Sequence, residues 1–486
     1  MIFAMGNCYH FNIDIPDPDV IFHEGFYYLI TTTMHFFPGG EILRSPDLKK
    51  WEHYSYVFEK LESTPEQRLE GDGQIYGKGM WAPTLRYHDG IFYVAFSSND
   101  ANKTYLFRSP DLKGPWTRNE IKGFYHDLSL LFDDGRSYVV YGNTRIHLTE
   151  LNKDLTGPEP GGLDRVIADD SENPILGFEG SHIYKVNGKY FLFLIHSLRD
   201  RWRRVEAMYV SDSLEGSFEG GDIFDNDLEI RDSGIAQGGI VSGPFGDHMV
   251  MFQDSGAIGR LPVIVPFEWK DGRPVFDEDN TVEECELVGL CGDDDFSYGH
   301  KDYWQFNHEP DLSLVKFENG FHVKTDKVCR NLFHAKNTLT QKTSGPICKA
   351  RVTIDASGLN EGDFAGLSAF QGDYAFAGIT KEKGAYYAVM LSNESKGGIW
   401  DLSEDEGTLE EKILLESDVL TVTVVCDFSN DTASCFVETE NGIKPIGTPH
   451  KLRFRLDHFT GARFALSCFS TINAGGTAVF RDFNIC

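Results

Sequence analysis

One pattern constrains this chain more than any other. A turn followed by a short run rich in aromatic and β-branched residues recurs five times along its first half. The runs are Phe26–Ile30, Phe92–Phe96, Tyr138–Tyr141, Tyr190–Leu194 and His248–Phe252. Each follows a turn signal: His23-Glu24-Gly25, His88-Asp89-Gly90, Asp133-Asp134-Gly135, Val186-Asn187-Gly188 and Phe245-Gly246-Asp247. Such runs after Gly, Asn and Asp turns are the signature of antiparallel strands. Few windows carry the helical period. The units return at intervals of roughly 45 to 65 residues, the spacing of propeller blades with one four-stranded sheet per repeat. Some units share more than the hairpin: Ser45-Pro46-Asp47-Leu48, Ser109-Pro110-Asp111-Leu112 and a worn copy, Ser211-Asp212-Ser213-Leu214. Five repeats predict five blades.

The pattern changes near residue 300. Asp293-Asp294-Asp295 reads as a solvated acidic linker, and Trp304-Gln305-Phe306-Asn307-His308 opens new strand-like segments with no blade repeat. Alternating strands such as Lys349–Ile354 and Leu420–Val425 predict a β-sandwich. The 486 residues therefore divide into a five-bladed propeller over residues 1–295 and a β-sandwich over residues 303–486. Cysteine usage shifts at the same place. Of nine cysteines only Cys8 precedes Cys285, and no close CxxC pair occurs. Buried free thiols are expected rather than a zinc site or a disulfide framework.

The formal net charge is −30. That field repels phosphate backbones and anionic lipid, so neither nucleic acid nor a membrane surface is an expected partner. No apolar stretch is long enough for a transmembrane helix. Met1-Ile2-Phe3-Ala4-Met5-Gly6 lacks the basic and apolar regions of a secretory signal. A cytoplasmic location is expected, or a secreted or periplasmic one if a leader has been removed.

Three carboxylates precede strands in the propeller half. Asp17 lies between two prolines, which predicts a stiff, extended backbone. Asp127 precedes the third hairpin among apolar neighbours, and Glu179 precedes the fourth beside Gly180, where the missing Cβ permits close approach of a ligand. Singly, each also reads as a turn acid, a strand cap or a loop acid. Blade entrances surround a common axis, so together the three can meet in one site. Glycoside hydrolysis needs a carboxylate base and a carboxylic acid, and a third charge nearby raises the pKa of the acid.

Here the chain resembles glycoside hydrolase family 43. The segments that carry the resemblance are Pro16–Ile21, Thr32–Gly39, Lys78–Pro83, His126–Leu130, Phe178–His182, Ala236–Ile240 and Phe252–Arg260. In the second half, Trp304–Pro310 and Arg330–Pro346 resemble the C-terminal, concanavalin- or jelly-roll-like sandwich of β-xylosidase members. The resemblance implies an inverting mechanism with Asp17 as general base, Glu179 as general acid and Asp127 as the carboxylate that tunes and orients the acid. Glu179 is then expected to have a raised pKa. The resemblance also places Arg260 beside the base, Trp81 as a pocket wall, and Met34, His35 and Phe36 along the first sugar subsite. Gln237 stands where some members carry an axial histidine, some with a bound metal, so no His-held metal is expected. His182 reads as an alternative axis residue or a hydrogen-bonded structural histidine.

No cofactor is required by this reading. Asp293–Asp295 is also weighed as a structural calcium site, though it lacks the spacing of a binding loop. The expected substrate is a xylo- or arabino-oligosaccharide. The leading activity is exo-acting release of terminal β-1,4-xylosyl residues, with α-L-arabinofuranosidase activity as a second or joint one. A catalytically silent carbohydrate-binding protein is the competing class, and a propeller scaffold for protein partners a third. Gly475-Gly476 and Phe469 are candidates for a sandwich loop that closes the pocket. Oligomeric state stays open.

Overall fold

The computed structural model describes residues 7–229, 231–277, 281–395, 402–440, 442–453 and 460–486. The N-terminal segment read for a leader, residues 1–6, lies outside them. The structure is all β apart from three single-turn 3₁₀ segments.

Five sheets form the propeller. The first blade runs outward through Asp19–His23, Phe26–Ile30, Gly39–Ser45 and Lys50–Phe58. The second uses Met80–His88 to Thr117–Ile121, the third Ser129–Asp133 to Asp164–Asp169, and the fourth Glu179–Val186 to Glu219–Phe224. The fifth begins with Ile235–Gly243, Gly246–Asp254 and Arg260–Lys270, and the N-terminal strand Cys8–His10 then pairs antiparallel to Arg260–Lys270. Val282–Glu284 adds in parallel beside Cys8–His10, and Glu286–Val288 adds in parallel to Lys50–Phe58 of the first blade. Both ends of the propeller chain therefore cover open strand edges at its seam, where unpaired N–H and C=O groups would otherwise face solvent. The repeated Ser-x-Asp-Leu segment turns the third strand of a blade into the fourth. Ser45 Oγ accepts from Leu48 N at 2.8 Å, and Asp47 Oδ1 accepts from Lys50 N at 2.8 Å.

The innermost strands contact one another in a closed ring, and their side chains stack in layers along the axis. One layer is Asp19, Thr84, Ser129, His182 and Gly239. Asp19 Oδ2 accepts from Thr84 Oγ1 at 3.0 Å, Leu85 N at 2.8 Å and Arg86 Nη1 at 2.6 Å. Arg86 also donates to Ser129 Oγ at 2.8 Å and to Leu130 O at 3.0 Å, and its guanidinium lies 5.0 Å from the Tyr184 ring centre. His182 packs into this layer with Nδ1 3.5 Å from Asp19 Oδ1, so it is an axial structural histidine. Gly239 is obligatory here, because a Cβ would sit 1.9 Å from the Tyr184 hydroxyl.

The second half is a sandwich of two sheets. One has the order Thr408–Leu415, Ala385–Glu394, Asp373–Glu382, Asp363–Phe370, Arg463–Ser470, Leu339–Lys342, Gln305–Asn307 and finally Phe36–Phe37. That last strand comes from the first blade, so a sandwich sheet continues into the propeller. The other sheet holds Phe321–Lys324, Thr477–Ile485, Ile347–Asp355, Val419–Asp427 and Thr432–Thr439. Alternate residues of both, such as Leu367, Ile379, Val422, Val424 and Phe480, form the core between them.

In the run Asp293–Asp295 the outer two aspartates are exposed, as a solvated linker implies, and only Asp294 departs from that reading. Asp294 is buried, accepting from Phe296 N, Lys301 N and Trp304 Nε1 at 2.9, 2.9 and 3.0 Å, and its backbone pairs with Phe483. Asp293 accepts from Ile485 N and Asp295 from Ser297 N. These carboxylates are acceptors for the protein's own N–H groups. All nine cysteines are free thiols, and seven are buried.

Asp19 is fully enclosed and Arg86 nearly so. Removing one partner strands the other charge, which costs about 3–5 kcal/mol. Arg86→Leu is expected to lower the unfolding free energy by about that amount in urea or thermal melts. A loss no larger than that of a surface arginine variant would show that the axial ion cluster does not hold the blades together.

Candidate active site

Each innermost strand is entered through one residue in the left-handed region: Asp17 (φ 50°), Ala82 (20°), Asp127 (47°), Gly180 (63°) and Gln237 (57°). Each stands two residues before a member of the Asp19 layer. The chain crosses the blade mouth there and must turn sharply down the axis. L-residues enter this region only at a cost, of order 1–3 kcal/mol where the conformation is sparsely populated, and such residues cluster at functional sites. In three blades the pairing register shifts at the same place, at Trp81/Thr84, Glu179/His182 and Ala236/Gly239. Such bulges re-aim side chains at barrel and propeller rims. The extended backbone expected at Asp17 is therefore replaced by a left-handed one. Gly180 serves a neighbour rather than a ligand: a Cβ there would lie 2.5 Å from Gln237 Cγ.

The result is a small pocket of about 50 Å³ at the axis, lined by Asp17, Met34, Trp81, Ala82, His126, Asp127, Glu179, Gln237 and Arg260. Asp17 is buried. Its Oδ2 accepts from Thr32 Oγ1 at 2.6 Å, and its Oδ1 from Arg260 Nη1 at 2.6 Å and Gln237 Nε2 at 3.4 Å. Arg260 is itself fixed. Its Nε donates to Asp254 Oδ1 at 3.2 Å, Arg204 Nε donates to the other oxygen of Asp254 at 2.7 Å, and the guanidinium lies over Phe252 at 4.5 Å. The buried Glu206 carboxyl accepts from Gln237 N at 2.8 Å and so fixes that left-handed residue.

Across the pocket, Glu179 Oε2 accepts from Asn143 Nδ2 at 2.8 Å and lies 3.7 Å from His126 Nε2. The same nitrogen is 3.6 Å from Asp127 Oδ2. Burial pushes the Asp127 carboxyl up to about 6, with the His126 cation opposing and the Glu179 and Asp17 charges adding to the rise. Burial also acts to raise Glu179, but the nearby His126 cation, together with Arg204 and Arg260, outweighs it and holds that carboxyl below its ordinary value. For His126, burial alone would lower the imidazole; the Asp127 and Glu179 charges lift it to about 9. Of the three acids singled out from sequence, the raised one is thus Asp127, not Glu179 as the sequence suggests. Donor atoms of His126, Asp127 and Glu179 lie within 4.8 Å of one another. In ligand type this trio could hold a divalent ion, but the same oxygens are those that acid–base chemistry at Glu179 would use.

Two expected subsite residues stand elsewhere. His35 is buried against Tyr76 and His308, with ring centres 4.8 and 5.2 Å apart. Phe36 pairs with Asn307 and lies under the Arg463 guanidinium at 4.1 Å. The backbone is left-handed at Met34 (φ 53°), which lines the pocket with its backbone bridged to Met80, while His35 and Phe36 lie against the sandwich. Trp81 is a pocket wall; its Nε1 donates to Gly77 O at 3.1 Å and its ring meets His126 edge-on at 5.8 Å. Phe469 and the Gly475-Gly476 loop do not line the pocket. Phe469 packs on the outer face of the sandwich sheet, in the cluster shared with Leu69 and Tyr76 of the propeller, and the loop is tied to Thr325. His126, Asn143, Thr32 and Ala82 were not singled out from sequence. Only His126 carries a sequence signal, its place immediately before Asp127.

Comparison with known proteins gives a consistent result. Residues 11–274 match the profile of Glycosyl hydrolases family 43, and residues 293–485 that of the Beta xylosidase C-terminal Concanavalin A-like domain. A Beta-xylosidase of Formosa agariphila is 24% identical over 444 residues, spanning 76% of this chain and 73% of that protein. A Non-reducing end alpha-L-arabinofuranosidase of Bacteroides ovatus is 31% identical over 183 residues, or 36% of this chain and 33% of that protein. Among solved structures, a bifunctional GH43-CE protein of Bacteroides eggerthii superimposes with a TM-score of 0.90 at 35% identity, covering 99% of this chain and 64% of that longer one. A propeller that gathers three acids at one blind pocket, joined to this sandwich, places the chain in glycosyl hydrolase family 43, as a glycoside hydrolase carrying the family's β-xylosidase-type C-terminal domain.

Proposed function

We propose that the enzyme is an exo-acting, inverting glycosidase that removes terminal β-1,4-xylosyl residues from xylo-oligosaccharides. The observation that carries this reading is the pocket itself: a small axial recess suited to a chain end, with Asp17 on one side and the His126–Asp127–Glu179 cluster on the other. The relatives named β-xylosidase support the sugar. Those named for arabinose as well support α-L-arabinofuranosidase activity as a second or joint activity at the same pocket.

In this reading Asp17 removes a proton from the water that attacks the anomeric carbon. Arg260, Thr32 and Gln237 aim its oxygens and leave it no freedom to rotate. Glu179 protonates the departing glycosidic oxygen from the opposite face, and Asn143 fixes its carboxyl plane. Inversion needs room for the water between base and acid, a carboxyl separation of roughly 6.5–9.5 Å. Asp127 and Glu179 are close enough to titrate as a pair, so a proton resting on Asp127 in the free enzyme is available to Glu179 when a sugar enters and displaces solvent. Trp81 offers an aromatic face to the sugar's C–H groups. The residues assigned here need no cofactor for these steps, and calcium at Asp293–Asp295 has no part in them.

Three results are expected. With aryl β-D-xylopyranoside and aryl α-L-arabinofuranoside assayed in parallel, the xyloside is the better substrate, and NMR of the first product shows the α anomer of xylose; initial release of the β anomer would exclude inversion. Asp17→Ala and Glu179→Ala each lose roughly 10²–10⁴-fold in kcat/KM. The Glu179 loss is smaller for a dinitrophenyl leaving group, which departs without a proton, than for xylobiose. Full activity in both variants would remove these assignments.

The third result concerns pH. With Asp127 near 6, the pair keeps its proton below that pH and loses it as pH rises through it, so kcat/KM falls on the alkaline side. His126→Asn removes the cation that holds Glu179 down. The acid then stays protonated to higher pH, and the alkaline limb moves up. An unmoved limb would show that His126 does not set the proton affinity of the acid.

A further inference from the structure

The sandwich sheet that contains Asp363–Phe370, Asp373–Glu382, Ala385–Glu394 and Arg463–Ser470 is apolar on both faces. One face meets the second sheet. The other presents Phe364, Val389, Leu391 and Phe469, and Leu69 and Tyr76 of the propeller, with Leu332 and Phe333, pack against part of it. The remainder is open and forms a cavity of about 670 Å³, against about 50 Å³ for the axial pocket. Neither Asp17, Asp127 nor Glu179 lines it.

Three features define what this cavity can take. The rings of Phe364 and Phe469 lie parallel, with centroids 5.1 Å apart and planes at 12°, beside the aliphatic side chains of Val389 and Leu391 in the cavity wall. His334 also lines the cavity and is only 6% exposed, yet its Nε2 makes no hydrogen bond among the described residues; the neighbouring Glu404 Oε1 is 4.0 Å away. Burial pushes this imidazole below its usual range, so an uncharged polar nitrogen faces the cavity. The cations of the wall are already engaged. Arg330 pairs with Glu404 at 3.1 Å, Lys412 pairs with Glu382, and Lys327 and Lys381 donate to backbone carbonyls. Glu361 accepts from the backbone N–H groups of Lys383 and Gly384. The lining carries five carboxylates, Asp72, Glu361, Glu382, Glu404 and Glu406, against these four cations, and this excess together with the net charge of −30 opposes an anionic ligand. A buried acceptor or donor without a partner is costly, and the half-buried ring of Phe364, backed by the buried Phe469 ring stacked on it, suits the C–H face of a pyranose or furanose ring. A ligand that satisfies both is a neutral polyhydroxylated chain.

We propose that this cavity is a second carbohydrate-binding site, which takes a segment of neutral pentose polysaccharide with a sugar ring against Phe364 and a hydroxyl on His334 Nε2. The choice of sugar rests on the substrate class proposed above. Holding a polymer on the sandwich would raise the local concentration of chain ends at the axial pocket, and it would leave small substrates unaffected.

Affinity electrophoresis in native gels containing neutral arabinoxylan tests this, using the 486-residue chain with Glu179→Gln as parent so that the polymer is not degraded. Phe364→Ala and Ile472→Asp are added to that parent; Ile472 is 58% exposed on the cavity rim, so its replacement leaves the core intact. Phe364→Ala is expected to weaken retention roughly fivefold to tenfold, the range of one lost aromatic contact, and Ile472→Asp, which sets a charge on the rim, also weakens it. In the otherwise wild-type enzyme, the same changes leave kcat/KM on an aryl glycoside within about twofold. A parent that is not retained, or variants retained as well as the parent, overturns the site. Loss of retention in both variants, with no aryl glycoside cleaved by wild type, would keep the site and remove the proposed activity instead.

Discussion

Five innermost strands share one axis, and the space they leave tapers to the width of a few side chains. That constraint decides which side chains the axis can hold and how the pocket above it is shaped. In the Asp19 layer only one blade contributes a carboxylate, and Gly239 gives up its side chain so that Tyr184 fits. Arg86 fills the centre, bonded to Asp19, Ser129 and Leu130. The channel is therefore plugged by a hydrogen-bonded ion pair rather than by hydrocarbon. A plugged axis makes the recess above it blind, and a blind recess is what an enzyme acting on chain ends requires. The left-handed residues at the blade mouths arise from the same geometry. The chain has to enter a crowded axis steeply, and the residue at that corner projects its side chain into the recess. Asp17, Asp127 and Gln237 occupy three of these five corners, Ala82 and Gly180 the other two. Small residues at two corners leave the volume into which Trp81 and Glu179, their immediate predecessors, can turn.

The sandwich is built into this arrangement. Asp14 accepts from Arg260 N at 2.7 Å and from Gly461 N of the sandwich at 2.8 Å, so the strand that carries the partner of Asp17 is anchored across the two halves. His308 N donates to His35 O at 3.0 Å, and His308 Nε2 accepts from Ile75 N at 2.9 Å. His35 and Ile75 flank Met34 and the loop that leads to Trp81. Lys342 reaches Glu41 of the first blade at 2.7 Å in a buried ion pair. His35 and Phe36 thus serve the pocket indirectly, as the seam that holds its wall against the second domain.

How much of this is legible in the sequence depends on distance along the chain. The blade repeat is local: a hairpin and its turn lie within a dozen residues, and alternation is visible there. The three acids are legible because each stands shortly before such a hairpin, Asp17 and Asp127 eight residues ahead of the turn glycine and Glu179 nine. The seam strands Cys8–His10, Val282–Glu284 and Glu286–Val288 have three residues each, too few to show a period, and their partners lie far away in sequence. Phe36–Phe37 reads as first-blade structure, and its membership of a sandwich sheet depends on Asn307. The acidic run at 293–295 misleads at Asp294 for a related reason. Composition reports that aspartates prefer water, whereas Asp294 has three N–H donors converging on it, two from nearby turns and one from an indole ring. Likewise nothing near Glu179 in sequence announces the cation beside it.

That cation decides where the proton of the site resides. Two buried carboxyls whose donor atoms lie within 4.8 Å of each other cannot both ionise without a counter-charge. On the far side of the pocket Arg260 is committed to Asp17 and Asp254. His126 supplies the missing charge from within the cluster, and because its nitrogen is nearly equidistant from Asp127 and Glu179 it stabilises ionisation of either one. The proton is then free to reside on Asp127 while the pocket is open to water. A sugar bound against Trp81 and His126 would bring its glycosidic oxygen next to Glu179 alone. The energetic reason to leave that carboxyl ionised disappears when an acceptor for its proton arrives. An acid held down in the free enzyme is therefore compatible with general acid catalysis, provided that a neighbouring carboxyl stores the proton, which is the role the buried position of Asp127 allows.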